Sequence, residues 1–211
     1  MNPVAIFRSP FPTKFGIPRQ AGVVSEIPGT IIFEKPFRTP DAIRGLEGFD
    51  YIWVIWQAAT TNSSPTVRPP RLGGNTCIGV FASRSPQRPN PIGLSSVRIH
   101  HIDYDGPEAP VIHVEGADIM DGTPILDIKP YIPYTDSHPY SRAGFTDTTE
   151  WKPLKVVGTE DPILRKILEQ DPRPHYHDDP DRIYGMEYDG KDIHFKVSEN
   201  TLTVIGMKDE R

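Results

Sequence analysis

The sequence predicts a mainly β protein, a single-sheeted β-barrel followed by a small C-terminal α+β module. Short apolar stretches rich in β-branched and aromatic residues recur between Pro, Gly and Asp turn signals, which favours a barrel. Helical patterns do not alternate with these strands and no G-x-G-x-x-G motif occurs, so a Rossmann-type nucleotide fold is disfavoured. The chain has 24 prolines in 211 residues, about twice the usual share, which indicates many loops.

The first 136 residues carry most of the predicted strands. The continuous apolar run Tyr51–Trp56 predicts a strand buried on both faces. Thr39 and Pro40 suit the N-cap and first position of a short helix. Residues 60–75 form a long loop, and such loops inside compact domains usually have a function or are mobile. The other predicted strands are Val4–Arg8, Gly22–Ile27, Gly29–Glu34, Cys77–Ala82, Leu94–Ile102, Val111–Val114 and Pro124–Ile128.

The composition becomes polar and loses periodicity near Ser137. We therefore expect a barrel domain over residues 1–136, a connecting segment over 137–158 and an α+β module over 159–211. In that module Asp161–Gln170 suits one helix, and Asp189-Gly190 is a strong hairpin signal. The strands predicted there are Arg182–Tyr188, Ile193–Val197 and one around Leu202 and Val204.

Charge and cysteine content limit the classes of function. The net charge of −5 argues against a nucleic-acid partner, but residues 62–100 contain no acid and five arginines, which either form a basic face or are simply solvated loop arginines. With Cys77 as the only cysteine, neither an intrachain disulfide nor a cysteine-based zinc site can form. The N-terminus lacks signal-peptide character and no apolar run reaches the length of a membrane span, so we expect a cytoplasmic protein without membrane contact.

A rigid loop between residues 84 and 93, the arginine loop, is the most informative stretch. Its three prolines restrict the backbone and remove hydrogen-bond donors. Arg84 or Arg88 would hold a carboxylate or phosphate, and Asn90 would contact an amide or base edge. The alternative is a plain β-hairpin connection. We favour the binding role because two arginines and an asparagine exceed what a turn requires.

Two further residue pairs, Asp127 with Lys129 and Trp56 with Gln57, each allow two interpretations of their role. Asp127 and Lys129 share one face of a predicted strand, with Ile128 on the other face. They are either a surface ion pair of little energetic weight or a site acid or base with its electrostatic partner. Trp56-Gln57 either lines a barrel mouth, where ligands bind, or ends the strand. The pattern alone favours the second reading of this pair.

The histidines are weak metal candidates. His100 and His101 are expected on opposite faces of a strand, where they cannot share one ion. His175 and His177 have suitable spacing beside two aspartates, but a solvated loop is favoured there. We therefore expect no metal, and a metal-dependent hydrolase that uses His175 and His177 is the least favoured function.

Several motifs together resemble those of the TsaA-like / TrmO family of tRNA (adenine(37)-N6)-methyltransferases. They are VRPPRLGGN (Val67–Asn75), GVFASRSPQRPNPIGLS (Gly79–Ser95) and DGTPILDIKPYIPY (Asp121–Tyr134). FGIPRQAG (Phe15–Gly22), IRGLEGF (Ile43–Phe49) and DPRPHY (Asp171–Tyr176), the last at the start of the C-terminal module, support the resemblance. It implies a β-barrel homodimer that uses S-adenosylmethionine to methylate N6 of threonylcarbamoylated adenosine at position 37, in the anticodon stem-loop of tRNA. The alternative is a barrel that binds this donor or tRNA without catalysis.

The same resemblance implies roles for individual residues. Arg84 is expected to bind the carboxylate of the donor, and Asp127 to accept or orient a proton, with Lys129 and Tyr131 nearby. Relatives often carry His-Gln where this chain has Trp56-Gln57, so Trp56 departs from the family pattern. The expected donor contacts are Pro18, Arg19, Gln20, Trp56, Gln57, Arg84, Leu94, Asp121, Gly122, Thr123 and Pro124. The expected substrate contacts are Arg68, Arg71, Arg88, Asn90 and Arg173.

Overall fold

The computed structural model describes residues 1–73, 75–174 and 179–209. Strands dominate and helices are few and short, which confirms the mainly β prediction. The strands in these residues are β1 (Ala5–Arg8), β2 (Pro28–Phe33), β3 (Tyr51–Gln57), β4 (Thr66–Val67), β5 (Ile78–Gly79), β6 (Ile92–Asp103), β7 (Val111–Glu115), β8 (Pro124–Pro130), β9 (Lys155–Val157), β10 (Tyr184–Tyr188), β11 (Lys191–Ser198) and β12 (Thr201–Asp209). The α-helices are α1 (Pro133–Asp136) and α2 (Pro162–Glu169), and short 3₁₀ turns cover Lys35–Phe37, Pro40–Ile43, Leu46–Gly48, Pro70–Leu72, Val80–Ala82 and Gly144–Asp147.

Six strands form a large antiparallel sheet that closes on itself in the order β1-β2-β7-β6-β3-β8. β1 completes the closure because Ala5 pairs with Phe33 of β2 on one side and with Ile125 of β8 on the other. Alternate residues of each strand point inward and form one apolar core. The largest fully buried members of this core are Phe7, Ile31, Ile52, Ile112, Ile119 and Ile125.

The prediction that β3 is buried on both faces is wrong. Ile52 and Val54 are buried in the core, but Tyr51 is 44% exposed and Trp53 lies outside, where its indole donates a hydrogen bond to Asp136. The reason is that β3 belongs to an antiparallel sheet, which can leave one face to solvent, whereas continuous apolar runs are typical of parallel sheets covered on both faces.

Three local predictions before residue 92 are also wrong. Residues 22–27 form turns rather than a strand. The predicted helix after Thr39 is a 3₁₀ turn, Pro40–Ile43, without a side-chain cap. Of Cys77–Ala82 only β5 is extended, and it pairs with β4 instead of β6. The arginine loop therefore does not connect the two strands of a hairpin.

The C-terminal unit is a four-stranded sheet in the order β10-β11-β12-β9 with α2 beside it. The predicted hairpin is confirmed, since Tyr188 pairs with Lys191 across Asp189-Gly190. The predicted helix is confirmed as well, and the carboxylate of Asp161 caps it by accepting hydrogen bonds from the first amides. The short strand β9, parallel to β12, was not predicted.

The segment between β1 and β2, residues 9–27, packs against this C-terminal unit although it lies near the start of the chain. Phe11, Val24 and Ile27 are buried in the same apolar cluster as Leu164 and Phe195. The ring centroids of Phe11 and Tyr188 are 5.3 Å apart. We call residues 9–27 the β1–β2 segment.

The expectation that His100 and His101 lie on opposite faces of a strand is wrong. The pairing of β6 with β7 shifts between Ile99 and His101, and this bulge breaks the alternation of side chains, so the two rings meet edge to face with centroids 5.0 Å apart. Among the described residues no three His, Cys, Asp or Glu side chains are arranged to hold a metal ion. His175 and His177 lie outside the described residues.

No helix in the described part of the chain is long and apolar enough to cross a bilayer.

Candidate functional site

Most of the expected donor contacts lie at one end of the closed sheet. β3 ends there at Gln57, which pairs with Ile92 at the start of β6, and β8 begins there at Pro124, which pairs with Ile6 near the end of β1. Antiparallel pairing therefore collects the end of one strand and the start of the next at the same rim. The β1–β2 segment and the arginine loop both leave the sheet at this rim.

The side chains of Gln20 and Arg84 connect these two segments. Nη1 of Arg84 donates a hydrogen bond of 3.1 Å to Oε1 of Gln20, and both side chains are exposed. The amide nitrogen of Gln20 donates to the backbone carbonyl of Arg19 at 2.6 Å, which orients the Gln20 side chain. The structure thus brings together two residues that are 64 positions apart in the chain.

Arg19 points away from this contact, toward the C-terminal unit. Its Nη2 donates to the carbonyl oxygen of Asp171 at 3.2 Å, and its guanidinium carbon lies 5.7 Å from the ring centroid of Trp151. Burial lowers the pKa of Arg19, and the negative charge of Asp171 partly offsets this shift. Nη1 is buried without a hydrogen-bond partner in the described residues. Pro18, the preceding residue, is buried.

Trp56 occupies the inside of the rim. Its ring lies against Gly93, where a Cβ atom would come within 2.1 Å of the indole, so only glycine fits there. The indole nitrogen donates to Oγ of Ser95 at 3.0 Å, and this hydroxyl donates to the carboxylate of Asp118 at 2.5 Å. Trp56 therefore faces a polar network instead of the solvent.

Ser95 and Asp118 were missed by the sequence reasoning. Burial raises the pKa of Asp118, while the hydrogen bond from Ser95, the backbone amide of Ala21 and the positive charge of Arg84 act against this shift. Asp118 is therefore linked to two of the expected donor contacts, to Trp56 through Ser95 and to Arg84 by its charge. The available signal was Ser95, a polar residue between the inward positions Gly93 and Val97 of β6.

The turn from Asp121 to Pro124 is tied to β1. The Asp121 carboxylate accepts hydrogen bonds from the Ser9 amide at 3.0 Å and from Nη1 of Arg8 at 3.3 Å. The amide of Gly122, which has a φ of 72°, donates to the carbonyl of Phe7 at 2.9 Å. Thr123 is buried. These contacts hold the turn rigidly at the rim.

Asp127 and Leu94 lie on the outer face of the sheet. Both pair with Ile55, Asp127 from β8 and Leu94 from β6, so the three side chains project in the same direction. Leu94 is 55% exposed. The predicted ion pair is present, with Nζ of Lys129 2.9 Å from Oδ2 of Asp127.

Tyr131 extends the same outer face. Its ring lies 5.6 Å from that of Trp53 and 6.3 Å from that of Tyr51. Gln57 is exposed two residues beyond Ile55 on β3, and strand alternation places it on this face too. The outer face therefore collects Gln57, Leu94 and the three residues expected to serve catalysis.

The expected substrate contacts are dispersed. Nη2 of Arg88 donates to the carbonyls of Val80 and Ser83, at 2.8 and 3.1 Å, so Arg88 stiffens its own loop. Both carboxylate oxygens of Asp171 accept from Arg173 at 2.9 Å, and this pair is largely buried. The exposed expected contacts are Arg68, Arg71 and Asn90.

Known proteins are similar to this chain along nearly its whole length. Residues 6–137 match the family model described as the tRNA-methyltransferase O N-terminal domain, and residues 154–210 match the TrmO C-terminal domain. The tRNA (adenine(37)-N6)-methyltransferase of Escherichia coli K12 is 32% identical over 97% of this chain and 96% of its own length. RcsF of Pseudomonas aeruginosa, whose name proposes an S-adenosylmethionine-dependent methyltransferase, is 37% identical over 92% of this chain and 91% of its own. A crystal structure of TrmO from Pseudomonas aeruginosa superposes with a TM-score of 0.76 at 29% identity, covering 98% of this chain and 97% of that one.

Proposed function

Because this chain belongs to the tRNA-methyltransferase O family, we propose that it methylates N6 of threonylcarbamoylated adenosine at position 37 of tRNA. Family membership makes the protein a tRNA methyltransferase, and its methyl donor is S-adenosylmethionine. The threonylcarbamoyl group on the acceptor, the position in the anticodon stem-loop and the roles of individual residues are the proposed parts.

The contact between Arg84 and Gln20 is the observation that carries this proposal. An exposed guanidinium that donates one hydrogen bond to a neutral amide keeps further N–H groups for an anion, and a carboxylate matches its planar geometry. Asp121–Pro124 and Gln57 lie at the same rim, and Leu94 adds an exposed apolar side chain on the outer face. This set of groups fits a donor that combines an amino-acid end with an apolar and aromatic remainder.

When bound, the donor supplies an electrophilic methyl group on a sulfonium. The protein then has to align the acceptor nitrogen and receive one proton when the new N–C bond forms. We assign this proton to Asp127. Nζ of Lys129 lies 2.9 Å from Oδ2 of Asp127 and orients this carboxylate on the outer face.

An open cavity beside Asp127 supports this role. Its volume is about 540 Å³, and its lining includes the aromatic rings of Phe37 and Phe49 together with Leu46. Aromatic walls bind a nucleobase by stacking, and a carboxylate at the edge accepts hydrogen bonds from an exocyclic amine. We therefore place the acceptor adenine between this cavity and Leu94.

The anticodon stem-loop, the homodimer and the cytoplasmic location expected from the sequence belong to the same proposal. Arg68 and Arg71 are exposed and available to tRNA phosphates. The outer face of β3 and β6 exposes Tyr51 and Leu94, and such apolar side chains suit a contact with a second copy of the chain.

Mass spectrometry of tRNA nucleosides tests the proposal directly. Purified protein is incubated with S-adenosylmethionine and tRNA that carries threonylcarbamoyladenosine, and the same tRNA without this group is the control. We expect N6-methyl-threonylcarbamoyladenosine from the first sample and no methylated adenosine from the second. Equal methylation of both tRNAs contradicts the acceptor assignment, and no product from either contradicts catalysis.

The Asp127→Asn variant tests the assigned proton acceptor. At saturating donor we expect the turnover number to fall about 100-fold or more while the donor dissociation constant stays unchanged. Asp105→Asn, a change of another exposed aspartate at the opposite end of the sheet, is the matched control. Full turnover of Asp127→Asn at saturating donor shows that another group accepts the proton.

A further inference from the structure

The β1–β2 segment lies between two cores that belong to different parts of the chain. On one side Phe11, Val24 and Ile27 are buried in the core of the C-terminal unit. On the other side the amide of Gly22 donates to the carbonyl of Gly116 at 2.8 Å, which joins the segment to the loop after β7. The position of this segment at the rim therefore depends on both units.

Residues 15–18 of the β1–β2 segment, just before Arg19, pack tightly against the C-terminal unit. Gly16 has a φ of 91°, and a Cβ atom there would lie 2.1 Å from the sulfur of Met186. Phe15 and Ile17 pack against the same apolar cluster, and Pro18 is buried. The chain thus reaches Arg19 from a fixed direction.

Arg19 makes the last contact with the C-terminal unit before the segment turns to the rim. Its guanidinium is held between the carbonyl of Asp171 and the ring of Trp151, at 3.2 and 5.7 Å. The next residue, Gln20, is exposed and bonded to Arg84. Two consecutive side chains therefore point to different partners, one inward to the C-terminal unit and one outward to the site.

We infer that Arg19 is a positioning residue through which the C-terminal unit presents Gln20 to Arg84, so that this unit sets the affinity for the methyl donor without touching it. The identity of the donor rests on the proposed function. The physical basis is entropy: a free Gln20 must be ordered when the donor binds, whereas a Gln20 held through Arg19 is ordered beforehand. If the contact of Arg19 is lost, about one residue must be ordered when the donor binds. The donor dissociation constant should then rise about 5- to 30-fold.

Trp151→Leu is the decisive variant because Trp151, in the segment just before β9, supports the Arg19 guanidinium that donates to Asp171, with 5.7 Å between its ring centroid and the guanidinium carbon. Calorimetry with S-adenosylmethionine should give an increase of about tenfold in the dissociation constant for Trp151→Leu and for Arg19→Ala. The double variant should be no weaker than Arg19→Ala alone, because both changes remove the same support. Donor binding by Trp151→Leu at the wild-type level, with loss in Arg19→Ala, overturns the inference, since Arg19 then acts on the donor directly.

Three readouts separate positioning from loss of structure. The KM for the donor should rise in Trp151→Leu while kcat at saturating donor is retained, and Arg19→Lys should recover part of the affinity because it can still donate to Asp171. Glu26→Gln removes an ion pair between the same segment and Lys166 of α2, and should leave donor affinity unchanged. An equal loss in Glu26→Gln shows general loosening of the segment and overturns the role of Arg19.

Hydrogen exchange without donor tests the same inference independently of the proposed function. The amides of residues 20–22 should exchange about 5- to 30-fold faster in Trp151→Leu than in the wild type, since their ordering depends on the contact with Arg19. Unchanged exchange overturns the inference. If the wild type binds no donor but this exchange difference is present, the proposed function fails and the positioning role stands.

Discussion

The β1–β2 segment and the arginine loop both carry residues expected to bind the donor, yet they are held in different ways. The β1–β2 segment buries Phe11, Val24 and Ile27 and is covered on two sides. The arginine loop contains no buried apolar side chain from residue 84 to 91 and follows Phe81, which is 84% exposed. Its shape comes from its prolines and from the bonds that Arg88 donates to backbone carbonyls.

This difference separates two ways to position a binding group. Apolar packing places Gln20 through contacts between distant parts of the chain, whereas local stiffness places Arg84 through its own loop. We therefore expect substitutions in the β1–β2 segment to change the free energy of unfolding, and substitutions in the arginine loop to change ligand binding with little effect on that energy.

Gly16→Ala should have the largest effect. The new Cβ meets Met186 and the backbone keeps a positive φ, so the free energy of unfolding should fall by about 2–4 kcal/mol. Gly22→Ala, which has a φ of 79° and open space around the added atom, is the control and should cost about 1–2 kcal/mol. Urea unfolding measures both. Equal losses contradict tight packing of the segment on the C-terminal unit.

Arg84→Ala should weaken donor binding about 10- to 100-fold, the usual cost of losing a charge-assisted hydrogen bond. The melting temperature should stay close to that of the wild type, because the side chain is exposed. Calorimetry and thermal unfolding measure the two quantities. The control is Arg142→Ala, an exposed arginine after α1, which should leave donor affinity unchanged. A large fall in melting temperature for Arg84→Ala would show that the arginine loop also supports the fold.

Asp118→Asn should weaken the loss of stability that the wild type shows as pH rises through the acidic range. Burial raises the pKa of Asp118, so the folded protein retains a proton that the unfolded chain releases. Ionisation of Asp118 therefore lowers stability as pH rises from the ordinary carboxyl pKa, about 3.9, through the higher pKa of the folded state. Asparagine cannot ionise, so the variant should gain stability relative to the wild type over this rise. Urea unfolding at a series of pH values measures the difference, and parallel curves contradict the prediction.

Glu26→Gln should have the smallest effect, at most about 0.5 kcal/mol, because its ion pair with Lys166 is exposed. The hydrogen bond from Lys166 lowers the pKa of Glu26. Its contribution is therefore present above the unfolded pKa and is lost as pH falls through the lower pKa of the folded state. Thermal unfolding over a descending pH series should show the small difference at neutral pH and its disappearance once the pH lies below the lowered pKa of Glu26 in the folded state. A loss larger than that of Gly22→Ala would mean that charge, not apolar packing, holds the segment.

Local periodicity predicted much of the secondary structure. The turn signal Asp121-Gly122 located the start of β8, Asp189-Gly190 located the hairpin turn between β10 and β11, and the apolar pattern within Asp161–Gln170 located α2. Each of these features depends on residues within a few positions of each other, so a linear pattern contains the necessary information. The motifs that resemble the family were readable for the same reason, since each is a continuous stretch.

Long-range packing decided the features that the pattern missed. The sequence placed Pro18, Arg19 and Gln20 in one motif, but only the folded chain directs Arg19 to Asp171 and Gln20 to Arg84. The network of Trp56, Ser95 and Asp118 joins three segments, and no local signal connects them. Such contacts depend on which surfaces remain to be buried once the strands have paired, and that depends on the whole chain at once.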